Sequence, residues 1–267
     1  VGIDNEGLSG LEYLYNDLIK GKKKKRVHIR VDAKRQSYHS DNQPQQLDGN
    51  TIVLNIDRKI QHIVQKALEE AVTSTQAKNG SAIVLDPYTG DILAMAGHPS
   101  FNPNSYSKYP SSIHRNPVIL EAYEPGSTFK LFTFSAVLDQ KLGDPSEIID
   151  CRVDTFRLAG KVYREAKNSF GLLTFNEVLA KSSNVGTIKL GLRLGNEKLY
   201  EYIKRFGFGQ KTGVDLPGEQ VGRLRPISQW SKMSIGALSI GHELSATPIQ
   251  TARALSAIAN GGNLIVP

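Results

Sequence analysis

At 267 residues, 39% of them apolar and 22% charged, the chain can build a sizeable core, and wholesale disorder is excluded. Lys+Arg 33 minus Asp+Glu 26 leaves +7, which favours a polyanionic neighbourhood such as nucleic acid, anionic lipid or an acidic wall polymer. The single cysteine, Cys151, excludes a disulfide framework and any multi-cysteine metal site, and no apolar run approaches the roughly 20 residues that span a bilayer.

Both ends read as cuts. No Met precedes Val1, and Asn263-Leu264-Ile265-Val266-Pro267 reads as the start of a strand, so an internal segment of a longer protein is expected. Leu8, Leu11, Leu14, Tyr15, Leu18 and Ile19 fall at helical spacing and predict one helix, stopped at Gly21. The run Lys22-Lys23-Lys24-Lys25-Arg26 then precedes the alternating Val27-His28-Ile29-Arg30-Val31 and reads as a solvated turn before an edge strand. No aromatic residue interleaves the lysines, so base stacking is unsupported and no nucleic-acid partner is expected. Residues 36–49 are polar and turn-rich, a linker that places a domain boundary near Gly49, with residues 50–267 as the main domain.

From Thr51 the texture changes. Asp57 is set to cap a helix carrying Ile60, Ile63, Val64, Ala67, Leu68, Ala71 and Val72 on one stripe. Residues 81–85 and 91–96 flank Asp86-Pro87-Tyr88-Thr89-Gly90 and predict a hairpin. A polar loop spans His98 to Pro117, and an apolar helix is expected over Ser127–Leu138. Residues 148–164 read as short strands or loops. Thr174 with Glu177 forms a capping box that opens a helix through Ala180, and Asn196–Phe206 is a further amphipathic helix. Thr247 with Gln250 is a second capping box, with Pro248 in the first turn, and its helix runs to Ala259 before Asn260-Gly261-Gly262. A hairpin, then helices, then a new strand predict an α+β fold whose remaining strands are expected past residue 267.

The chemistry concentrates in Glu124-Pro125-Gly126-Ser127-Thr128-Phe129-Lys130. Ser127 and Lys130 are three apart, so one helical turn puts both on one face. A serine at a helix N-terminus has backbone N–H groups and the positive dipole end beside it, which suits an attacking alkoxide and the oxyanion it creates. Lys130 can take the hydroxyl proton if burial or a second cation lowers its pKa. The second piece is Lys181-Ser182-Ser183-Asn184-Val185-Gly186, where Ser182 and Asn184 on a turn can face one cleft. Such a serine can relay a proton to a leaving amine, and such an asparagine can hold an amide and orient the lysine. The six histidines show no metal-ligand spacing, so neither a metal nor a cofactor is expected. Trp230 and Met233 read as core, and Cys151 as an incidental thiol.

Together these stretches resemble class B (monofunctional) penicillin-binding proteins, with a lean towards the division and sporulation transpeptidases. Ser-x-x-Lys, Ser-Asp-Asn and Lys-Thr-Gly are the motifs of penicillin-binding proteins and class A β-lactamases. Here the first is Ser127–Lys130 and the second Ser182-Ser183-Asn184. Phe206-Gly207-Phe208-Gly209, Gly241-His242-Glu243-Leu244-Ser245, the Asn55-Ile56-Asp57 helix start and the 86–90 turn carry the same likeness, and Gly7–Glu12 looks like the family's join between its N-terminal pedestal module and the transpeptidase domain. Lys211-Thr212-Gly213 matches the third motif literally, but glycines on both sides and Pro217 make it a loop rather than a central strand. The functional third motif is therefore expected past residue 267, and the segment by itself is expected to be inactive.

The resemblance implies a penicillin-binding, β-lactamase-like fold, an antiparallel sheet with helices on both faces. It implies a serine D,D-transpeptidase that cross-links peptidoglycan stem peptides through an acyl-enzyme on Ser127, with Lys130 as base and Ser182 and Asn184 as partners. β-Lactams would trap Ser127. Implied partners are stem peptides, a membrane-bound glycosyltransferase and division-complex proteins. The implied location is the extracytoplasmic face of the bacterial membrane, the parent being anchored by an N-terminal transmembrane helix. A β-lactamase or β-lactam sensor of the same fold, or a catalytically silent scaffold, remain alternatives.

Overall fold

The computed structural model describes residues 6–20, 49–166 and 168–267. The chain divides into two compact units, residues 1–54 with 215–217, and residues 55–214 with 218–267. In the smaller unit, the single helix expected over 8–19 is two short ones, α1 (Gly10–Leu14) and α2 (Asn16–Ile19). They meet at Tyr15, whose φ of −103° and ψ of 17° leave the helical region. Asn16 stands at the break, its side-chain oxygen accepting from the Gly7 amide at 2.9 Å. The lysine run, the strand at 27–31 and all of the 36–49 linker except Gly49 lie outside the described residues.

The larger unit opens with α3 (Arg58–Thr75), capped as expected by the Asp57 carboxylate, which accepts from the Lys59 and Ile60 amides at 2.8 and 2.9 Å. Its buried stripe is narrower than the sequence suggests. Ile60, Val64, Leu68 and Val72 turn inward at four-residue spacing, whereas Ile63 is 64% exposed and Ala67 and Ala71 face out. The Gln61 amide fastens the helix to the next element, donating to the Met95 carbonyl at 3.0 Å and accepting from its N–H at 2.8 Å. The expected hairpin is β1 (Gly80–Leu85) and β2 (Ile92–His98), antiparallel, with Gly80 opposite His98. Asp86 builds its turn by accepting from the Tyr88 and Thr89 amides.

The polar loop after β2 holds two 3-10 turns and ends in α4 (Pro117–Leu120). The helix expected from Ser127 starts as a 3-10 turn over Gly126–Phe129 and continues as α5 (Lys130–Asp139). Four short strands follow, β3 (Ile148–Cys151), β4 (Thr155–Leu158), β5 (Lys161–Arg164) and β6 (Gly171–Thr174), with β3 paired to β6 and β4 to β5. The Thr174–Glu177 capping box opens α6 (Phe175–Ala180) as read. The helix expected at Asn196 is the second part of a longer one, α7 (Asn184–Arg205), which bends at Gly195, where φ is +73°. Then come β7 (Arg223–Leu224), α8 (Ser234–Ser239), β8 (Leu244–Ser245) and α9 (Pro248–Ala259), the last with both halves of its capping box formed.

The fold is α+β, and the described strands form four two-stranded antiparallel ladders. α3, α4 and α9 pack on the β1–β2 ladder, and α5 lies against α7 in the centre. Phe129, Phe132 and Phe208 meet there with ring centroids 5.1–5.4 Å apart, and Phe134 meets Phe175 at 4.6 Å. Each such ring contributes about 1.5–3 kcal/mol by leaving water, so these contacts hold α5 against α6 and against the turn that follows α7. Residues 263–267 form no strand. Side chains take the carbonyls a ladder would use: Asn260 Nδ2 donates to Asn263 at 2.8 Å and Arg253 Nε to Ile265 at 2.5 Å.

Candidate active site

The turn that carries Ser127 is held from outside. The Gly126 amide donates to the Gly241 carbonyl at 3.0 Å, and the Thr128 hydroxyl donates to Pro125 at 2.8 Å. Gly241 has φ of +79°, and a Cβ there would lie 2.2 Å from the Gly126 oxygen, so only glycine permits this approach. Glu124 closes the same contact, accepting from His242 Nδ1 at 2.8 Å and from the Glu243 amide at 3.0 Å. The hydrogen bond from His242 holds the Glu124 carboxyl below the usual carboxylate range. A cavity of about 430 Å³ lined by Glu124, Arg223, Arg225 and Glu243 lies beside this turn. The 3-10 turn leaves Ser127 exposed and sends Phe129 and Lys130 inward, to 0% and 1% exposure.

The structure brings Lys130, Ser182 and Asn184 together. Lys130 Nζ donates to the Ser182 carbonyl at 2.6 Å, to Ser182 Oγ at 3.0 Å and to Asn184 Oδ1 at 2.7 Å. An ammonium has three N–H groups, so all are used. Burial pushes the Lys130 pKa down from 10.5 to about 8, with the Glu165 carboxylate acting in the opposite sense.

Ser182 owes its position to a tight joint between two helices. The Ser182 amide donates to Leu179 and the Ser183 amide to Val178, both at 2.9 Å, which is the paired bonding of a helix end that normally takes glycine. Ser182 instead adopts the left-handed conformation, with φ of +56°, at a cost on the order of 1 kcal/mol. Ser183 is buried at 0% exposure and caps α7, its hydroxyl accepting from the Gly186 amide at 2.9 Å. Two residues thus end α6 and start α7; the sequence reading ends the first helix at Ala180 as found, but does not see the next one start at Asn184. Asn184 is further fixed by its Nδ2, which donates to the Arg164 carbonyl at 2.7 Å.

Sequence reasoning missed Glu165. Its carboxylate is buried at 8% exposure and accepts from Ser183 Oγ at 2.5 Å, the Asn184 amide at 2.7 Å and the Val185 amide at 3.1 Å. It follows β5 with no motif around it, so no signal in the sequence marks it. Lys211-Thr212-Gly213 lies in a loop, as expected from its glycines. Thr212 is buried there, donating from both amide and hydroxyl to Glu219 Oε1, at 2.7 and 2.6 Å.

With this geometry in place, the likeness to known proteins is specific. The family model described as "Penicillin binding protein transpeptidase domain" matches residues 80–267. Stage V sporulation protein D of Bacillus subtilis is 38% identical, over 100% of this chain and 42% of its own length. Peptidoglycan D,D-transpeptidase FtsI of Escherichia coli K12 is 31% identical, over 97% of this chain and 44% of its own. The solved structure of penicillin-binding protein 3 from Mycobacterium tuberculosis in complex with aztreonam superposes with a TM-score of 0.83 at 35% identity, covering 98% of this chain and 55% of that one. The class is thus that of the α+β domains of penicillin-binding proteins. The chain belongs to the penicillin-binding protein transpeptidase family. It spans less than half the length of these two curated relatives. No described helix is long and apolar enough to cross a membrane.

Proposed function

We propose that this chain carries the acyl-transfer centre of a peptidoglycan D,D-transpeptidase. Ser127 Oγ attacks the carbonyl carbon of the penultimate D-Ala of a donor stem peptide and passes its proton to neutral Lys130 Nζ. The tetrahedral intermediate collapses as the C–N bond to terminal D-Ala breaks, and the leaving amine takes a proton by way of Ser182. An acceptor amine then attacks the Ser127 ester, and its proton returns through the same groups to Ser127. Asn184 holds a substrate amide and keeps Lys130 aimed.

The observation that carries this reading is the buried Lys130 ammonium, three-fold bound at Ser182 and Asn184, one turn from the exposed Ser127 hydroxyl. A base must be neutral to act. At pH 7, one unit below a pKa of about 8, about one Lys130 in ten is neutral, against fewer than about one in a thousand at 10.5. The names of these relatives support the substrate class. Residues 1–49 are assigned as the end of a pedestal module and 50–267 as the transpeptidase domain. An extracytoplasmic location, an anchored parent, and glycosyltransferase and division proteins as partners follow from the same reading.

The test is intact-mass analysis after exposure to benzylpenicillin, with peptide mapping and Ser127→Ala as control. A stable adduct on Ser127 supports the reading. A folded protein that takes no label overturns it in favour of a silent scaffold, and rapid, lasting turnover of penicillin overturns it in favour of a hydrolase.

A further inference from the structure

The joint between α6 and α7 holds the two residues that grip Lys130, and it is itself held by one carboxylate. Glu165 reaches it from the end of β5 and accepts from the Ser183 hydroxyl and from the Asn184 and Val185 amides, at 2.5, 2.7 and 3.1 Å. Two of these donors are first-turn amides of α7, which have no partner within the helix, so the anion caps the helix and lies at the positive end of its dipole. Bonds from N–H and O–H to a carboxylate are stronger than neutral ones, more so out of water, and Glu165 is 8% exposed. The neighbouring Arg164 carbonyl accepts from Asn184 Nδ2 at 2.7 Å, so consecutive residues of one segment fix both the backbone and the side chain of Asn184.

We propose that Glu165 is a positioning residue of the acyl-transfer centre, which holds the Ser182–Asn184 joint in the geometry that aims Lys130. The proposal rests on the assignment of Lys130 as base. Without Glu165, Ser183 Oγ and two buried amides lose their acceptor, and the left-handed Ser182, which Lys130 touches twice, loses the brace on its following residue. The carboxylate also acts electrostatically. Lys130 is faced by Ser182 and Asn184 from the joint, both neutral, and Glu165 is the charged group that acts on it among the described residues, raising the pKa that burial lowers. Around Glu165 itself stand the Cys151 thiol, 3.6 Å from Ser183 Oγ, and beyond it Lys189 and Asp150.

The test is the rate of acylation by a fluorescent penicillin between pH 5.5 and 10, in the full-length protein. Wild type and Ser127→Ala first establish labelling at Ser127. In Glu165→Gln the charge is gone and one bond is lost. The plateau rate is expected to fall about tenfold, and the acid limb to move down by at least about half a pH unit, because the group that raised the Lys130 pKa is removed. Glu165→Asp keeps the charge, so its limb stays in place while the plateau falls a few-fold. A merely structural role would lower the melting temperature and leave the limb unmoved in both variants, which overturns the proposal, as does a wild-type profile in Glu165→Gln. If Glu165→Gln does not fold, Glu165→Asp decides, and a wild-type plateau there overturns the proposal. A wild-type protein without label at Ser127 overturns the catalytic reading and this inference with it, whereas labelled wild type with unchanged variants overturns the inference alone.

Discussion

Lys130 Nζ and Asn184 Oδ1 lie 2.7 Å apart across 54 positions of sequence. The bond ties the start of α5 to the start of α7 and leaves the charge of Lys130 free to change, because an amide oxygen does not titrate. A carboxylate in its place would not be so permissive. Asn184→Asp is expected to raise the Lys130 pKa by 1–3 units, as an adjacent opposite charge does, and so to cut labelling at pH 7 about 10- to 1000-fold. The loss should be recovered as the pH rises towards 10. Asn184→Ala should label slowly at every pH with no shift of the limb. Stopped-flow labelling across pH separates the two, and coincident profiles would remove Asn184 from the control of the base.

Burying Lys130 costs stability, and the cost depends on pH. At 1% exposure its folded pKa is about 8, against 10.5 for the free side chain. Between those values the unfolded chain binds more protons, so the native state gains as the pH rises through that window, and below about 8 the full cost is present. Two and a half units at 1.36 kcal/mol each bound the effect at about 3 kcal/mol. Lys130→Met, which removes the titrating group, serves as the reference. The stability difference between the two proteins, measured by denaturant unfolding, should move in favour of wild type by up to that amount from pH 7.5 to 10.5. A difference that stays flat would mean Lys130 is not desolvated as its burial indicates.

The contact of Gly241 with Gly126 constrains the turn that carries Ser127. A methyl at 241 would meet the Gly126 oxygen at 2.2 Å and Phe129 Cβ at 2.6 Å, and φ of +79° adds strain for any other residue. Gly241→Ala is expected to destabilise by at least about 2–3 kcal/mol and to displace Ser127. A shift of 1 Å at a reacting atom costs on the order of 100-fold in rate. Labelling and urea unfolding of the same variant should therefore both fall, and a loss of stability with full labelling would show that the turn holds its geometry without this contact.

Much of this was legible where a local rule decides the structure. The Asp57 cap, the two capping boxes and the hairpin around Asp86 are set by short-range hydrogen bonds, and each stands as read. Ser127, Lys130, Ser182 and Asn184 were visible as motifs, and of these the structure brings Lys130, Ser182 and Asn184 into contact. What the sequence hid was set by distant partners. The first half of α7 begins at a serine joint in place of a glycine one, and its glycines argue against a helix until Gly191 is seen facing Ser239, where a Cβ would lie 1.9 Å from Oγ. Glu165 is one acid among several in the sequence, and its role exists only because β5 ends against the α6–α7 joint. The Ile60 stripe was drawn too wide for a related reason: periodicity says which residues share a face, and the width of the neighbouring β1–β2 ladder decides how many of them are covered.

Lys211-Thr212-Gly213 tests the difference between a motif and its context. The tripeptide has the letters of a substrate clamp, but Thr212 is 2% exposed and spends its amide and hydroxyl on Glu219, while its oxygen accepts from the Val214 amide at 3.3 Å. Glu219 also acts on Arg253, opposing the effect of burial on that guanidinium. These are the bonds of a loop anchor. Lys211→Ala should therefore label with penicillin at a rate within about twofold of wild type, since an exposed lysine in a loop contributes little. Glu219→Ala should leave two buried donors without an acceptor and Arg253 without its counter-charge, and cost about 2–4 kcal/mol in urea unfolding. Loss of labelling by orders of magnitude in a folded Lys211→Ala would reverse the assignment and make this loop the clamp after all.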